Sequence, residues 1–534
     1  MVRERRPAIL RDAMHGILDL ARAKCCSGRL HDAARPRSGS AGSEAEAAAV
    51  AELSDDSTES SWDVNRKTKD SRVHALNCLL MILGSMCVLT AIFGIQSLES
   101  SINSVGGLGQ GCLGLLYGLG IISVTFLAPV LLRRLGPPRV LRLCMLPVAL
   151  FLGAHFEVLP AVFLSACTLM GMFMMMFMAS LSVITTTAAI DYASIYRVAR
   201  APMIARFSSM LFVGLVMSYF TGPLLSSLIL ENPTSFHGNG SAGHVRQCTD
   251  SKEKMVVADK ERYELLIVYS VLVLVAFCVF CLVGNASETS IKARLASATA
   301  WQQITATLRL LGDFDMLMCI PWIFFTGMAK EMITNNYTQF FVAPCLGVGN
   351  VGFSIASFGA ANVLVTALMP VMLRRAGRPL LAAVAASLEI AVLMVLLYWQ
   401  RSPNAAVLYT LPAVWGAADA IWNVEMSIVI GVVFPSQQEA AYSNHRAWQG
   451  FGFGVSALYS SRFDSCFEQL QRKLWFLVAL LLLSMIMYAV LEWRIRKADT
   501  EAKLDSTSDT ELMQPGGDGD GDTSQHSDEN RLSP

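Results

Sequence analysis

The sequence predicts an all-α, polytopic membrane protein of about twelve transmembrane helices, arranged as two pseudo-symmetric six-helix bundles. Three observations carry that prediction. The 534 residues are 53% apolar and only 16% charged, a balance too rich in apolar surface for a set of water-soluble domains. Apolar windows of roughly 20 residues, the length a helix needs to cross a hydrocarbon core of about 30 Å, recur along the chain. A long segment of the first half is also repeated without a gap in the second half.

The windows fall at 77–96, 112–132, 140–156, 159–184, 204–230 and 264–284, then at 315–334, 351–373, 380–399, 405–434, 447–461 and 474–493. They divide the chain into an N-terminal bundle (76–284), a central loop (285–313) and a C-terminal bundle (314–493). Residues 1–75 and 494–534 are rich in Ser, Asp, Glu, Arg and Gly, cannot bury a core, and read as disordered tails. Lys plus Arg equals Asp plus Glu at 42 each, so no net field draws the chain to nucleic acid, and its expected partners are the bilayer and other membrane proteins.

Short loops retain Lys and Arg on the cytoplasmic side. The second-to-third loop has Arg133, Arg134, Arg139 and Arg142, and the eighth-to-ninth has Arg374, Arg375 and Arg378, whereas 97–110 and 335–350 contain neither Lys nor Arg. Both termini are therefore expected in the cytoplasm, with cations such as Arg472 and Lys473 in an outer loop. Asn239-Gly240-Ser241 then falls outside and is a candidate N-glycosylation site in a protein of the secretory pathway, at the plasma or endosomal membrane.

Most of the thirteen cysteines lie in apolar windows, among them Cys78, Cys87, Cys144, Cys167, Cys278, Cys281 and Cys319. Free thiols there behave as small buried hydrophobes, so no disulfide framework is expected. Cys278 and Cys281 form a CxxC without the polar setting a zinc or redox site needs. Gly109-x-Gly111-x-x-Gly114 matches a dinucleotide fingerprint in form only, since no strand precedes it and Arg133 and Arg134 stand where an acid is needed. No cofactor, metal site or enzymatic triad is expected. His155 and His237 stand alone and receive no role.

Residues 106–138 align on 347–379, placing Gly106, Gly111 and Gly118 on Gly347, Gly352 and Gly359. Pro129, Arg133, Arg134, Gly136 and Pro138 fall on Pro370, Arg374, Arg375, Gly377 and Pro379. Each copy is the second helix of a half with the basic turn behind it, a parallel duplication. Gly114-x-x-x-Gly118 has the spacing for close helix approach. A helix end followed by RRxG at equivalent turns resembles the signature loop of the major facilitator superfamily, which implies its fold. Transporters of that superfamily carry an acid at the position of Arg133 and Arg374, so a charge contact that helps hold one conformation is lost here.

Within that superfamily the chain resembles the Unc-93-like family. Gln96-x-Leu98-x-Ser100-Ser101-Ile102 and Gly107-Leu108-Gly109 carry the resemblance in the first half. Gly416-x-x-Asp419-Ala420-x-Trp422, Gly431-x-x-Phe434 and Glu439-Ala440-Ala441-Tyr442-x-Asn444-x-Arg446-x-Trp448 carry it in the second, and are similar to the A-type members. The resemblance implies a regulator of potassium channels or an escort of membrane receptors. It also implies that the first, fourth, seventh and tenth helices line a central cavity, bringing Gln96, Thr185, Thr186, Thr187, Lys330 and Asp419 towards it.

Asp419 lies deep in a helix, where a charge at the bilayer centre costs at least about 2.5 kcal/mol and needs a partner. Two readings stay open: an ion pair with Lys330 across the halves, or local hydrogen bonding that fixes helix packing. Trp415 and Trp422 flank Asp419 by a turn and are candidate cavity walls, and Glu425 on the adjoining face either titrates or reaches water. Glu439 and Arg446, beside the turn into the eleventh helix, are expected to pair as a latch. The leading function is a non-enzymatic regulatory or trafficking partner of an ion channel or receptor. The alternative is a secondary transporter of a small solute.

Overall fold

The computed structural model describes residues 61–103, 107–196, 200–230, 259–283, 299–399, 401–434, 437–462 and 467–512. Asn239, Gly106 and the greater part of both tails lie outside the described residues. The described residues from Lys67 onward form one compact unit. Among the described residues the structure is helical, with no β-strand.

Eleven of the described helices are long and apolar enough to cross a membrane. They are α1 (Leu76–Ser100), α2 (Leu108–Leu135), α3 (Pro137–Ala154), α4 (Pro160–Ile195), α5 (Arg206–Leu230) and α6 (Asp259–Leu282), then α7 (Phe314–Leu346), α8 (Val348–Ala376), α9 (Arg378–Tyr398), α10 (Ala405–Val433) and α12 (Phe467–Lys497). α11 (Gln438–Ser460) has 23 residues, about 35 Å of helix, enough to cross as well. It is less apolar because Asn444, His445, Ser456 and Ser460 are buried against protein. A short linker helix, Ala300–Leu310, precedes α7 and opens on a capping box between Thr299 and Gln302.

The repeated sequence encodes a repeated turn. α2 ends at Gly136 with φ 82° and α8 at Gly377 with φ 74°, the left-handed conformation that favours glycine as a helix stop. Arg133, Arg134, Arg374 and Arg375 occupy the last helical turns, where cations complement the dipole. A proline opens the next helix in both copies. In α2 a π-helical turn at Ser123–Leu127 precedes Pro129, whose ring has no N–H for the regular ladder.

The halves meet along α2 with α11 and α5 with α8. A Cβ on Gly352 would stand 2.0 Å from the Pro223 carbonyl oxygen, and one on Gly454 would stand 2.7 Å from the Gly118 amide. The Gly114-x-x-x-Gly118 spacing thus receives α11, with Leu458 against Gly114. Towards the face opposite the basic turns, Ser100 Oγ donates to the Asn335 carbonyl at 3.1 Å and the Phe353 amide donates to Ser227 Oγ at 2.9 Å. These contacts seal that face.

Three expectations are corrected. The seventh window was expected to stop at 334, with a loop after it, but α7 continues to Leu346 through π-helical turns at Met332–Asn336 and Thr338–Val342. Polar residues there turn inward, and Asn336 is fully buried. Lys473, expected in an outer loop, lies within α12 and is buried. Cys112 of α2 and Cys167 of α4, expected as thiols, form a disulfide with Cα atoms 5.4 Å apart, and Cys345 is also disulfide-bonded. Helices α2 and α4 are close enough for this because Gly171 lies against the Leu116 backbone.

Candidate functional site

Lys330 and Asp419 come together: Nζ of Lys330 is 3.3 Å from Oδ2 of Asp419. Both belong to the second bundle, so the pair ties α7 to α10 and does not bridge the halves as expected. The contact across the halves runs from Lys330 to Tyr219 of α5, whose ring centroid is 5.3 Å from Nζ. Asp419 also accepts from Asn362 Nδ2 at 2.8 Å and Asn423 Nδ2 at 2.9 Å. The carboxylate therefore has both an ion pair and local hydrogen bonds, which is what a charge at membrane depth requires.

One turn away, Trp422 faces away from this pair. Its Nε1 donates to Glu389 Oε2 at 2.8 Å, joining α10 to α9, and its ring packs edge-on to Trp322. Trp422 is a packing residue here, not a cavity wall. Glu425 is fully buried rather than reaching water. Its Oε1 accepts from Arg378 Nε at 2.9 Å and from the Tyr488 hydroxyl at 2.7 Å. The backbone turn at Gly377 places Arg378 at the start of α9, where its stem can carry the guanidinium inward to Glu425.

A second buried pair was not anticipated. Lys473 of α12 bonds Glu331 of α7 directly, and both are almost completely buried. Asn336 Nδ2 donates to Glu331 Oε1 at 2.6 Å and Ser456 Oγ to Glu331 Oε2 at 2.5 Å. Lys473 also donates to Ser460 Oγ at 2.8 Å and Asn336 Oδ1 at 3.1 Å. Glu331 adjoins Lys330 in sequence, yet side chains at i and i+1 point about 100° apart on a helix, so the two serve different clusters. Two acid–base pairs thus sit on adjoining faces of α7.

The other singled-out residues separate. Gln96 accepts from the Tyr117 hydroxyl at 2.9 Å, and Tyr117 in turn packs on Phe453 of α11. Arg134, Arg374 and Arg375 are exposed at the two basic turns and Arg133 is half-buried. Glu439 accepts from Gln303 Nε2 of the linker helix at 3.1 Å, while Arg446 donates to Gln449 Oε1 at 3.5 Å. Seven residues span two turns, about 10.5 Å of axis, and the two charges take different partners instead of forming a latch. His155, expected to have no role, has Nε2 2.8 Å from Glu99 Oε2 and Nδ1 2.7 Å from the Phe151 carbonyl. Glu99 lies three residues past the first apolar window, in the last turn of α1, and sequence reasoning missed it.

A family profile described as "Ion channel regulatory protein UNC-93" matches residues 109–489. Protein unc-93 homolog A of Xenopus laevis is 27% identical over 436 residues, covering 78% of this chain and 93% of that protein. The Homo sapiens homolog A is 26% identical over 428 residues, covering 78% and 93%. A Caenorhabditis elegans protein named as a candidate potassium channel regulatory protein, unc-93, is 21% identical over 413 residues, covering 74% of this chain and 58% of that protein. Among solved structures, a mutant of the nucleoside transporter NupG superposes with a TM-score of 0.54 at 13% identity, covering 77% of this chain and 99% of that one. The xylose transporter XylE from E. coli gives 0.51 at 15% identity, covering 78% and 97%. These neighbours share the major facilitator fold, with paired six-helix bundles, and the family profile covers most of both bundles from α2 into α12, so the chain belongs to the UNC-93 family.

Proposed function

We propose that this chain is a non-enzymatic regulatory or trafficking partner of other membrane proteins, with a potassium channel as its partner. The observation that carries this reading is the family match across 109–489, which runs from α2 into α12 and includes the Lys330–Asp419, Arg378–Glu425 and Glu331–Lys473 pairs. The absence of an acid at Arg133 and Arg374 supports it, since both basic turns lack the charge contact that transporters of this fold use. The sequence likeness to a Caenorhabditis elegans protein named for potassium channel regulation supports that choice of partner.

In this reading both termini are cytoplasmic and the chain resides in the plasma or endosomal membrane after passage through the secretory pathway. The clustering of Arg133, Arg134, Arg139, Arg142, Arg374, Arg375 and Arg378 at one face supports that orientation. The disulfide between Cys112 and Cys167 supports it independently. It joins the early turns of α2 and α4, at the opposite end from the basic turns, where an oxidising compartment is expected. Asn239, between α5 and α6, falls on that same side as a glycan acceptor.

A second reading, a small-solute transporter, is favoured by the Lys330–Asp419 pair facing Tyr219 of the other half. Affinity purification of the intact chain from native membrane, followed by reconstitution, separates the two. A potassium channel subunit is expected to co-purify, and Asp419→Asn is expected to leave solute uptake at the protein-free background. Uptake above background that falls at least tenfold in Asp419→Asn, at an equal amount of reconstituted protein, would establish the transporter instead.

A further inference from the structure

Exposure along two helices outlines a funnel. On α11, Tyr442 and Arg446 are exposed, Gln449 is half-buried and Phe453 is 6% exposed. On α10, Ser427 is exposed, Asn423 half-buried and Asp419 5% exposed. Both gradients run inward from the basic-turn face. The two helices share a level, because Gln449 Nε2 donates to Thr326 Oγ1 at 3.4 Å, one turn of α7 before Lys330. Tyr219 of α5 lies within electrostatic reach of both Asp419 and Arg446. Arg446 is therefore open towards the basic-turn face and near Tyr219 of the other bundle, while the contacts from Ser100 and Ser227 close the other end.

The charges in this funnel do not balance. Asp419 faces Lys330, but among the described residues Arg446 has no carboxylate partner, only Gln449 at 3.5 Å. Glu425 and Glu389 are held elsewhere, by Arg378 with Tyr488 and by Trp422. Two donors there remain unengaged. Arg446 offers most of its guanidinium, and Gln96, 93% buried, has an Nε2 with no partner because its oxygen takes the Tyr117 hydroxyl. Tyr117, Tyr219 and Phe453 add flat apolar surface between these donors. A guanidinium fork recognises a carboxylate geometrically as well as by charge.

We propose that the central funnel binds an organic carboxylate, with its anionic group on Arg446 and its apolar body against Tyr117, Tyr219 and Phe453. This goes beyond the regulatory reading and is independent of it, since it requires binding alone. Benzoate is the probe, choline the cationic control, and the readout is intrinsic tryptophan fluorescence of the purified full chain. Benzoate is expected to bind saturably and choline not at all. Arg446→Gln is expected to weaken benzoate at least about 10-fold, the equivalent of about 1.4 kcal/mol, and Arg446→Lys to recover part of that loss. Should Arg446→Gln fail to give monodisperse protein, Ser427→Trp, at the exposed mouth, is expected to block benzoate without touching the anion site. Absence of saturable benzoate binding, equal response to choline, or unchanged affinity in these variants would each overturn the proposal.

Discussion

Lys473→Ala is expected to destabilise the folded protein by about 3–5 kcal/mol, the cost of leaving a buried charge without its partner. In the native chain Glu331 is surrounded by Lys473, Ser456 and Asn336 and has no access to water. Removing the ammonium leaves the carboxylate with neutral donors only, at a depth where lipid and packed side chains offer nothing further. The loss should appear as a collapse in monodisperse protein on gel filtration after a heat step. Glu331→Gln with Lys473→Met removes both charges and keeps the volume, so the double variant is expected to recover most of the folded fraction. A single variant as robust as the native chain would mean that the pair holds no part of the fold together.

Gly352→Leu is expected to part the two bundles at the face opposite the basic turns. The obstacle is backbone, because the added Cβ would stand 2.0 Å from the Pro223 carbonyl and 2.6 Å from the hydroxyls of Ser226 and Ser227. Overpacking of this kind costs about 1–3 kcal/mol if the helices hold their places, and a rigid-body separation of the bundles relieves it. Spin labels at Leu159 and Tyr398, both exposed near that face in opposite halves, measure the outcome in a background without the exposed Cys278 and Cys281. The label distance should lengthen in Gly352→Leu and remain at its native value in Gly431→Leu, where a Cβ meets open space. Identical distances in the two variants would show that the α5–α8 seam does not set the closure.

Much of the fold is legible in the sequence because lipid imposes simple rules. A spanning helix must be long and apolar, and the copied glycine and proline positions at 136–138 and 377–379 dictate the same left-handed stop and proline start in both halves. Asp419 was legible as a buried acid for the same reason, and Lys330 as a cation near it. What escaped depends on tertiary neighbours. Lys473 looks like a loop residue because Arg472 precedes it, and only the packing of α12 on α7 shows it opposite Glu331. Trp422 reads equally well as a cavity wall or as core, and Glu389, 33 residues earlier on α9, decides between them. The same limit hid the disulfide, since nothing local in Cys112 or Cys167 tells that Gly171 brings their helices together. Arg446 was legible as a functional charge but was matched to the wrong partner, because the open funnel beside it has no signature in sequence.

The most direct test of the regulatory role is the whole-cell potassium current in cells expressing a co-purified channel subunit, with and without this chain. Co-expression is expected to change the current amplitude at constant channel abundance, or to change the channel's surface abundance, while the destabilised Lys473→Ala is expected to have a reduced effect. Unaltered current and unaltered surface channel in the presence of correctly folded native chain would contradict a regulatory or trafficking role.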